Sequence, residues 1–242
     1  MSSNLTMLIN PNTLQDNLHR LEDIEKASLR LVVQAVYDFR ETAAEIFKIE
    51  SDLVADIGED LTREALDKLG VSKIDQRLFG KIDYKKARYL FHPDFAVKQA
   101  LFVDSKAEKV SGRGTATLQT SQLSLIIKQF RANEPIEVFG KLPCVIENTF
   151  ITTTIFVKYN YSYNKIECKN VLEDITIVAL PNGFLQDIYN PTANDTIFIA
   201  GRNAPSRGEE FRVRLSFNRL KEKAKWRVQN IKLSPNEFLW DE

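Results

Sequence analysis

Histidine and cysteine are scarce in this chain, with two of each among 242 residues: His19, His92, Cys144 and Cys168. Ligands so few and so scattered exclude a zinc site of ordinary Cys/His spacing, and the two thiols read as free and buried. No stretch approaches the roughly 18 uncharged apolar residues of a membrane span. The start, Met-Ser-Ser-Asn-Leu-Thr, lacks a basic segment leading into an apolar run, so the expected location is the cytoplasm. Repeats and low-complexity tracts are missing as well. Net charge is zero, from 33 basic and 33 acidic residues, which excludes a uniformly basic surface.

What is present is ordinary globular material, 43% hydrophobic and 27% charged, enough in one chain for a sizeable core. Its charge is unevenly spread. Residues 1–70 hold 7 Lys+Arg against 14 Asp+Glu, whereas 202–232 hold ten basic residues against Glu209, Glu210 and Glu222. A basic patch on a neutral protein suits a polyanionic partner gripped by one face, although residues 218–225 alone would serve equally as a solvated helix.

Helical spacing of Leu14, Leu18, Leu21, Leu29, Val32, Val33, Val36, Ala43, Ile46 and Phe47 predicts a long helix, capped at Asn12 or Thr13 and broken near residue 25. A second helix is expected over 52–69, with Leu53, Val54, Ile57, Leu61, Ala65 and Leu66 inward, Glu59 in its middle and Gly70 as its stop. Strands are expected at 78–84 and 100–104, joined through a turn at His92-Pro93-Asp94, then at 149–163, 175–180, 211–217 and 226–233. Residues 108–117 read as a loop and 118–130 as a helix. Helices first, then strands with interspersed helices, indicate a mixed α/β (α+β) fold around one central sheet. The whole, 1–242, reads as a single domain with a helical part at 12–70, a sheet core at 77–180 and a basic part at 200–232.

The chemistry centres on Leu101-Phe102-Val103-Asp104-Ser105-Lys106. Side chains alternate along a strand, so Asp104 and Lys106 emerge on one face while Val103 and Ser105 turn to the other. Acid-any-Lys occurs three times, at 83–85, 104–106 and 167–169, but only the copy at 104–106 follows an uninterrupted apolar run. A charged pair there costs several kcal/mol to desolvate unless something compensates. A hard divalent cation would, and it could set water against a phosphodiester; a plain buried Asp104–Lys106 ion pair fits the bare pattern too. A metal needs another carboxylate. Asp94 follows a proline within a turn, where aspartate commonly serves the turn itself, whereas Asp83 ends an apolar segment as Asp104 does and is preferred.

The segments Phe79-Gly80-Lys81-Ile82-Asp83-Tyr84-Lys85-Lys86 and Leu101 to Ala107 resemble the active-site region of the SfiI family of type II restriction endonucleases, in the PD-(D/E)xK superfamily. Further similarity runs in order through Leu29–Phe47, Gly58-Glu59-Asp60-Leu61-Thr62, Leu118–Leu123, Thr153–Val157, Tyr189-Asn190-Pro191, Pro205–Glu209, Arg212-Val213-Arg214 and Arg219–Glu222. Leu180-Pro181-Asn182-Gly183 and Asn190-Pro191 are similar to the related BglI type. The resemblance implies a restriction-endonuclease-like mixed sheet flanked by helices in a prokaryotic enzyme. It implies Asp83 and Asp104 as ligands of Mg²⁺, Lys106 as the water-orienting amine and Glu59 as an accessory acid. Asp94 has no counterpart in that pattern, and Ser121 and Gln122 match it on an element that could approach the DNA backbone.

Arginines repeated along one strand face suit guanines in a major groove, and Arg212 and Arg214 have that spacing. Arg207 and Glu209, just before them, extend the same surface. Together with the cleavage of double-stranded DNA at an interrupted palindrome that the resemblance implies, the expectation is a G·C-rich site. A twofold-symmetric site calls for a homodimer at least, and the resemblance adds a homotetramer holding two sites. A repair or junction-resolving nuclease, or a DNA-binding protein with a dead site, would share much of this pattern.

Overall fold

Asn10 caps a short 3-10 helix, Pro11–Asp16, by accepting from the Asn12 amide, and Asn17 Oδ1 accepts from Arg20 N at the head of α1 (Leu18–Ile49). The cap expected at Asn12 or Thr13 thus lies inside that first turn. Helix α1 runs through residue 25 without the expected break. Glu25 interrupts the apolar stripe but is fully buried against Arg227, so the polar residue marks a partner and not a boundary. Helix α2 (Val54–Lys68) buries Ile57, Leu61, Ala65 and Leu66 as their spacing requires. The computed structural model describes residues 8–49, 54–68, 87–92, 94–112, 114–131, 133–199, 213–234 and 236–242; the strand expected at 78–84 lies outside them. Among the described residues no helix is long and apolar enough to cross a membrane.

The main sheet comprises β1 (Ala87–His92), β2 (Val97–Lys109), β6 (Val145–Ile146), β7 (Phe150–Asn164), β8 (Lys169–Leu180), β11 (Val228–Leu233) and β12 (Asn236–Glu237). Its order is β1-β2-β7-β8-β11-β12, with β6 on β7. Among the described strands only β2 and β7 run parallel, and they do so over twelve pairs from Lys98↔Phe150 to Lys109↔Tyr161. The antiparallel partner of β2 across the 92–97 turn is β1, which starts later in the chain than the expected 78–84 segment.

Two cores share this sheet. Leu29 to Phe47 of α1 and Ile57 to Leu66 of α2 cover one face, meeting Leu101, Ile155, Val157, Tyr159 and Ile177. On the other lie β4 (Ile126–Arg131) hairpinned to β5 (Glu134–Phe139), and a small sheet β3-β10-β9 formed by β3 (Thr115–Leu118), β9 (Phe198–Ile199) and β10 (Val213–Ser216). Helices α3 (Gln186–Tyr189) and α4 (Phe217–Lys223) and the first turns of α1 complete that core. The arrangement is the mixed α/β architecture expected, a central mixed sheet flanked by helices.

Several local expectations are corrected. Residues 118–130 are not a helix but the end of β3, a 3-10 turn and β4. Leu123, Leu125, Ile127 and Gln129 are buried at every second position, so the period is that of a strand. The supposed loop 108–117 contains the end of β2 and the start of β3. Strand β10 is short, because Phe217 turns the chain into α4 under a Ser216 cap. Cys144 is half-buried, and burial pushes its thiol pKa up; Cys168, expected inside, is exposed at a positive-φ position in the β7–β8 turn.

Candidate active site

Strand β2 presents Asp104 and Lys106 together, with Lys106 Nζ 4.0 Å from Asp104 Oδ2. Asp104 is 8% exposed although it carries a carboxylate, because β7 lies beside it, with Phe156 as its register partner. The Lys106 ammonium donates to the Thr117 carbonyl at 2.6 Å and sits 5.7 Å from the Phe156 ring. Among the described residues no three acids, histidines or cysteines gather as a metal cluster. Asp83, the second expected ligand, lies outside the described residues. A lone hard carboxylate, held rigidly beside an ammonium and away from any thiol or imidazole ligand, fits an oxygen-preferring divalent cation once another acid joins it.

Ser105 turns to the opposite face, as alternation requires, and there it anchors α2. Its hydroxyl donates to Thr62 Oγ1 at 2.8 Å, and Thr62 Oγ1 in turn lies 2.9 Å from the buried Tyr159 hydroxyl, whose pKa burial raises. Gly58 permits this close approach, since a Cβ there would stand 3.3 Å from Lys106 C and from Ala107 N. Glu59 follows Gly58 on the exposed side of α2. Asp94 sits exposed in the β1–β2 turn, and the strand from Val97 to Asp104, roughly 23 Å at about 3.3 Å per residue, keeps the two acids apart.

The neighbouring strand supplies what the sequence reading missed. Lys158 on β7 is the register partner of Lys106 and is completely buried. It pairs with Glu108 Oε2 at 2.7 Å and donates to the Thr115 carbonyl, also at 2.7 Å. A single lysine in the middle of an otherwise apolar and β-branched strand was the available signal. Next along the face, Asn160 donates to Asp174 and Thr176. A polar band therefore crosses the sheet beside Asp104.

Of the residues expected to meet bases, Arg214 is exposed on β10 between the buried Val213 and Leu215. Arg207, Glu209 and Arg212 lie outside the described residues. Gln122 spends its side-chain oxygen on the Gln119 amide, capping a turn, so it is engaged locally on an element that is not the expected helix. Within the described part of the basic run, 213–232, the charges do not all face solvent. Arg227 is fully buried between Glu25 and Glu22 and stacked on Tyr189 and Trp226. Burial works against its charge, but Glu25 and Tyr189 more than offset that and keep it protonated. Lys221 and Lys223 are matched by Asp241 and Asp195, and Arg219 caps the Thr196 and Phe198 carbonyls.

Residues 28–231 match the family model of the type II restriction enzyme SfiI. The chain is 35% identical to the type II restriction enzyme SfiI of Streptomyces fimbriatus, over 90% of this chain and 86% of that protein. The crystal structure of tetrameric restriction endonuclease SfiI bound to cognate DNA superposes with a TM-score of 0.79 at 31% identity, covering 91% of this chain and 87% of that one. The restriction endonuclease BglI bound to its DNA recognition sequence shares the fold, with a TM-score of 0.75 at 17% identity over 93% and 94% of the two chains. The Asp104–Lys106 pair on β2 lies inside the matched span, and the extent of that match leaves one conclusion: the chain belongs to the SfiI family of type II restriction enzymes.

Proposed function

We propose that this chain hydrolyses phosphodiester bonds of double-stranded DNA at a G·C-rich interrupted palindrome, with Asp104 and Lys106 at the reacting centre and Mg²⁺ as the ion. One observation carries this reading: a rigid strand holds a nearly buried carboxylate and an ammonium 4.0 Å apart on one face of a family member. Asp104 and Asp83 would hold the ion by carboxylate oxygens, with Glu59 as an accessory acid. When bound, the ion polarises the scissile phosphate and offsets charge building on its oxygens. Lys106 steers the attacking water, whose oxygen bonds to phosphorus as the bond to the leaving sugar oxygen breaks and that oxygen gains a proton. Arg214, with Arg207, Glu209 and Arg212, reads bases, and Gln122 approaches the backbone. Residues 1–242 act as one unit, since β2, β7 and β8 border both cores.

The test is digestion of plasmid DNA with Mg²⁺, followed by sequencing of the fragment ends. Discrete fragments with a common end sequence are expected; fragments cut only at junctions or lesions would identify a structure-specific nuclease instead. Asp104→Asn should abolish cleavage while duplex binding persists, and an active Asp104→Asn enzyme would remove the proposed role of this carboxylate.

A further inference from the structure

The small sheet touches the catalytic sheet through two lysines. Phe217 N donates to Gly114 O, and the β3–β10 register pairs Thr117 with Arg214 and Thr115 with Ser216. Even-numbered residues of β3 thus direct their backbone groups to β10, and the carbonyls of Thr115 and Thr117 face the free edge of this three-stranded sheet. Each of those edge carbonyls accepts one ammonium, Thr117 from Lys106 at 2.6 Å and Thr115 from Lys158 at 2.7 Å. The two lysines are register partners on the parallel pair β2 and β7, so their spacing is fixed by the main sheet. Lys158 is also tied to Glu108, two residues beyond Lys106 on β2, and its ammonium lies 5.9 Å from the ring of Phe217, which directly follows β10. Burying an ammonium is costly, and a methionine or leucine would fill the space without that cost. A lysine fully buried with three fixed partners therefore points to a geometric task.

Resting on the endonuclease reading above, we propose that Lys158 is a positioning residue: with Lys106 it clamps the edge of β3 at two points, so that the seating of β10 on DNA sets where the Lys106 amine stands. Arg214 lies opposite Thr117 in the ladder, and Thr117 holds Lys106. A shift of β10 toward the right bases moves the Thr117 carbonyl relative to β2, while Lys158 keeps β3 from sliding along its own edge. Without Lys158 the sheet still pairs β3 with β10, but Lys106 is held at one point and its position no longer reports on what β10 has met.

The experiment compares wild type, Lys158→Met and the double variant Lys158→Met with Glu108→Gln on a duplex carrying the site found at the digest ends, and on duplexes with one base pair changed. Binding is measured with Ca²⁺ and single-turnover cleavage with Mg²⁺. Lys158→Met should bind the correct duplex as wild type does yet cut it about 100-fold more slowly, the scale expected for misplacing a reacting group by about 1 Å. Its preference for the correct over the altered duplexes should narrow about tenfold, because the altered sites never gained from the clamp. The double variant removes the unpaired charge as well, so its melting temperature should return toward wild type while its rate stays low. An unchanged rate, equal losses on correct and altered sites, or a rate that recovers with melting temperature in the double variant would each overturn the clamp alone. Wild-type enzyme that cuts no duplex would overturn the endonuclease reading, and the clamp with it.

Discussion

Arg227 shows how far a single side chain's environment can depart from its sequence neighbourhood. It sits among Lys223, Lys225 and Lys232, yet it is fully buried, 2.7 Å from Glu25 and 3.0 Å from Glu22, residues about 200 positions away. Glu25 also accepts from the Asn182 amide, joining α1 to the end of β8, and burial raises its pKa in spite of the arginine. Removing one partner of a buried pair strands the other's charge. Arg227→Met should therefore cost about 3–5 kcal/mol in urea unfolding. Exposed pairs such as Lys48–Glu45 should contribute no more than about 1 kcal/mol, and a similar small loss at Arg227 would refute its structural role. Asp104 and Lys106 were legible because strand alternation alone places them together. Glu25 was not, since nothing local distinguishes a helix break from a buried carboxylate whose partner lies on a distant element.

At the scale of elements, α2 matters as the backing of the catalytic strand. Its Gly58 touches Lys106 and Ala107, and Thr62 ties Ser105 to Tyr159. Glycine costs roughly 0.5–1 kcal/mol against alanine inside a helix, so Gly58→Ala trades that gain for a contact at 3.3 Å and should leave stability nearly unchanged. Gly58→Val adds two methyl groups against backbone. It should destabilise by about 1–3 kcal/mol in urea unfolding, and it should slow cleavage as α2 lifts from β2. Equal behaviour of the two variants would show that the approach is not tight. The helical period found α1 and α2, and runs of apolar and β-branched residues found β2, β7 and β8. The same reasoning failed over 118–130, where leucines at 118, 123 and 125 suit either period and the strand is stabilised by its partner β5 and by burial on the small-sheet side.

For the whole molecule, the balance of charge takes its meaning from where it sits. Among the described residues the acidic excess of the N-terminal part lies on α1 and α2, while some basic residues of the C-terminal part are matched by Asp241, Asp195 and Glu25, leaving Arg214 among the exposed remainder. A twofold-symmetric site calls for a homodimer at least, and a homotetramer holding two sites would have its own kinetic signature. At low protein concentration a plasmid with two sites should then be cut about tenfold faster than one with a single site, because the second binding becomes intramolecular. Sedimentation at a dimer's mass, with equal rates on both plasmids, would instead identify a plain dimer. The amino-acid order by itself determined the helical and strand periods, the acid and amine that follow an apolar run on one strand face and the family likeness, since each is written in residues near one another along the chain. Only tertiary structure decided that Lys158 joins Lys106 at one strand edge and that Glu25 meets Arg227 in the interior. Coulomb forces and hydrogen bonds act on distance in space, and pairing across β2 and β7 or across two cores leaves no period to read.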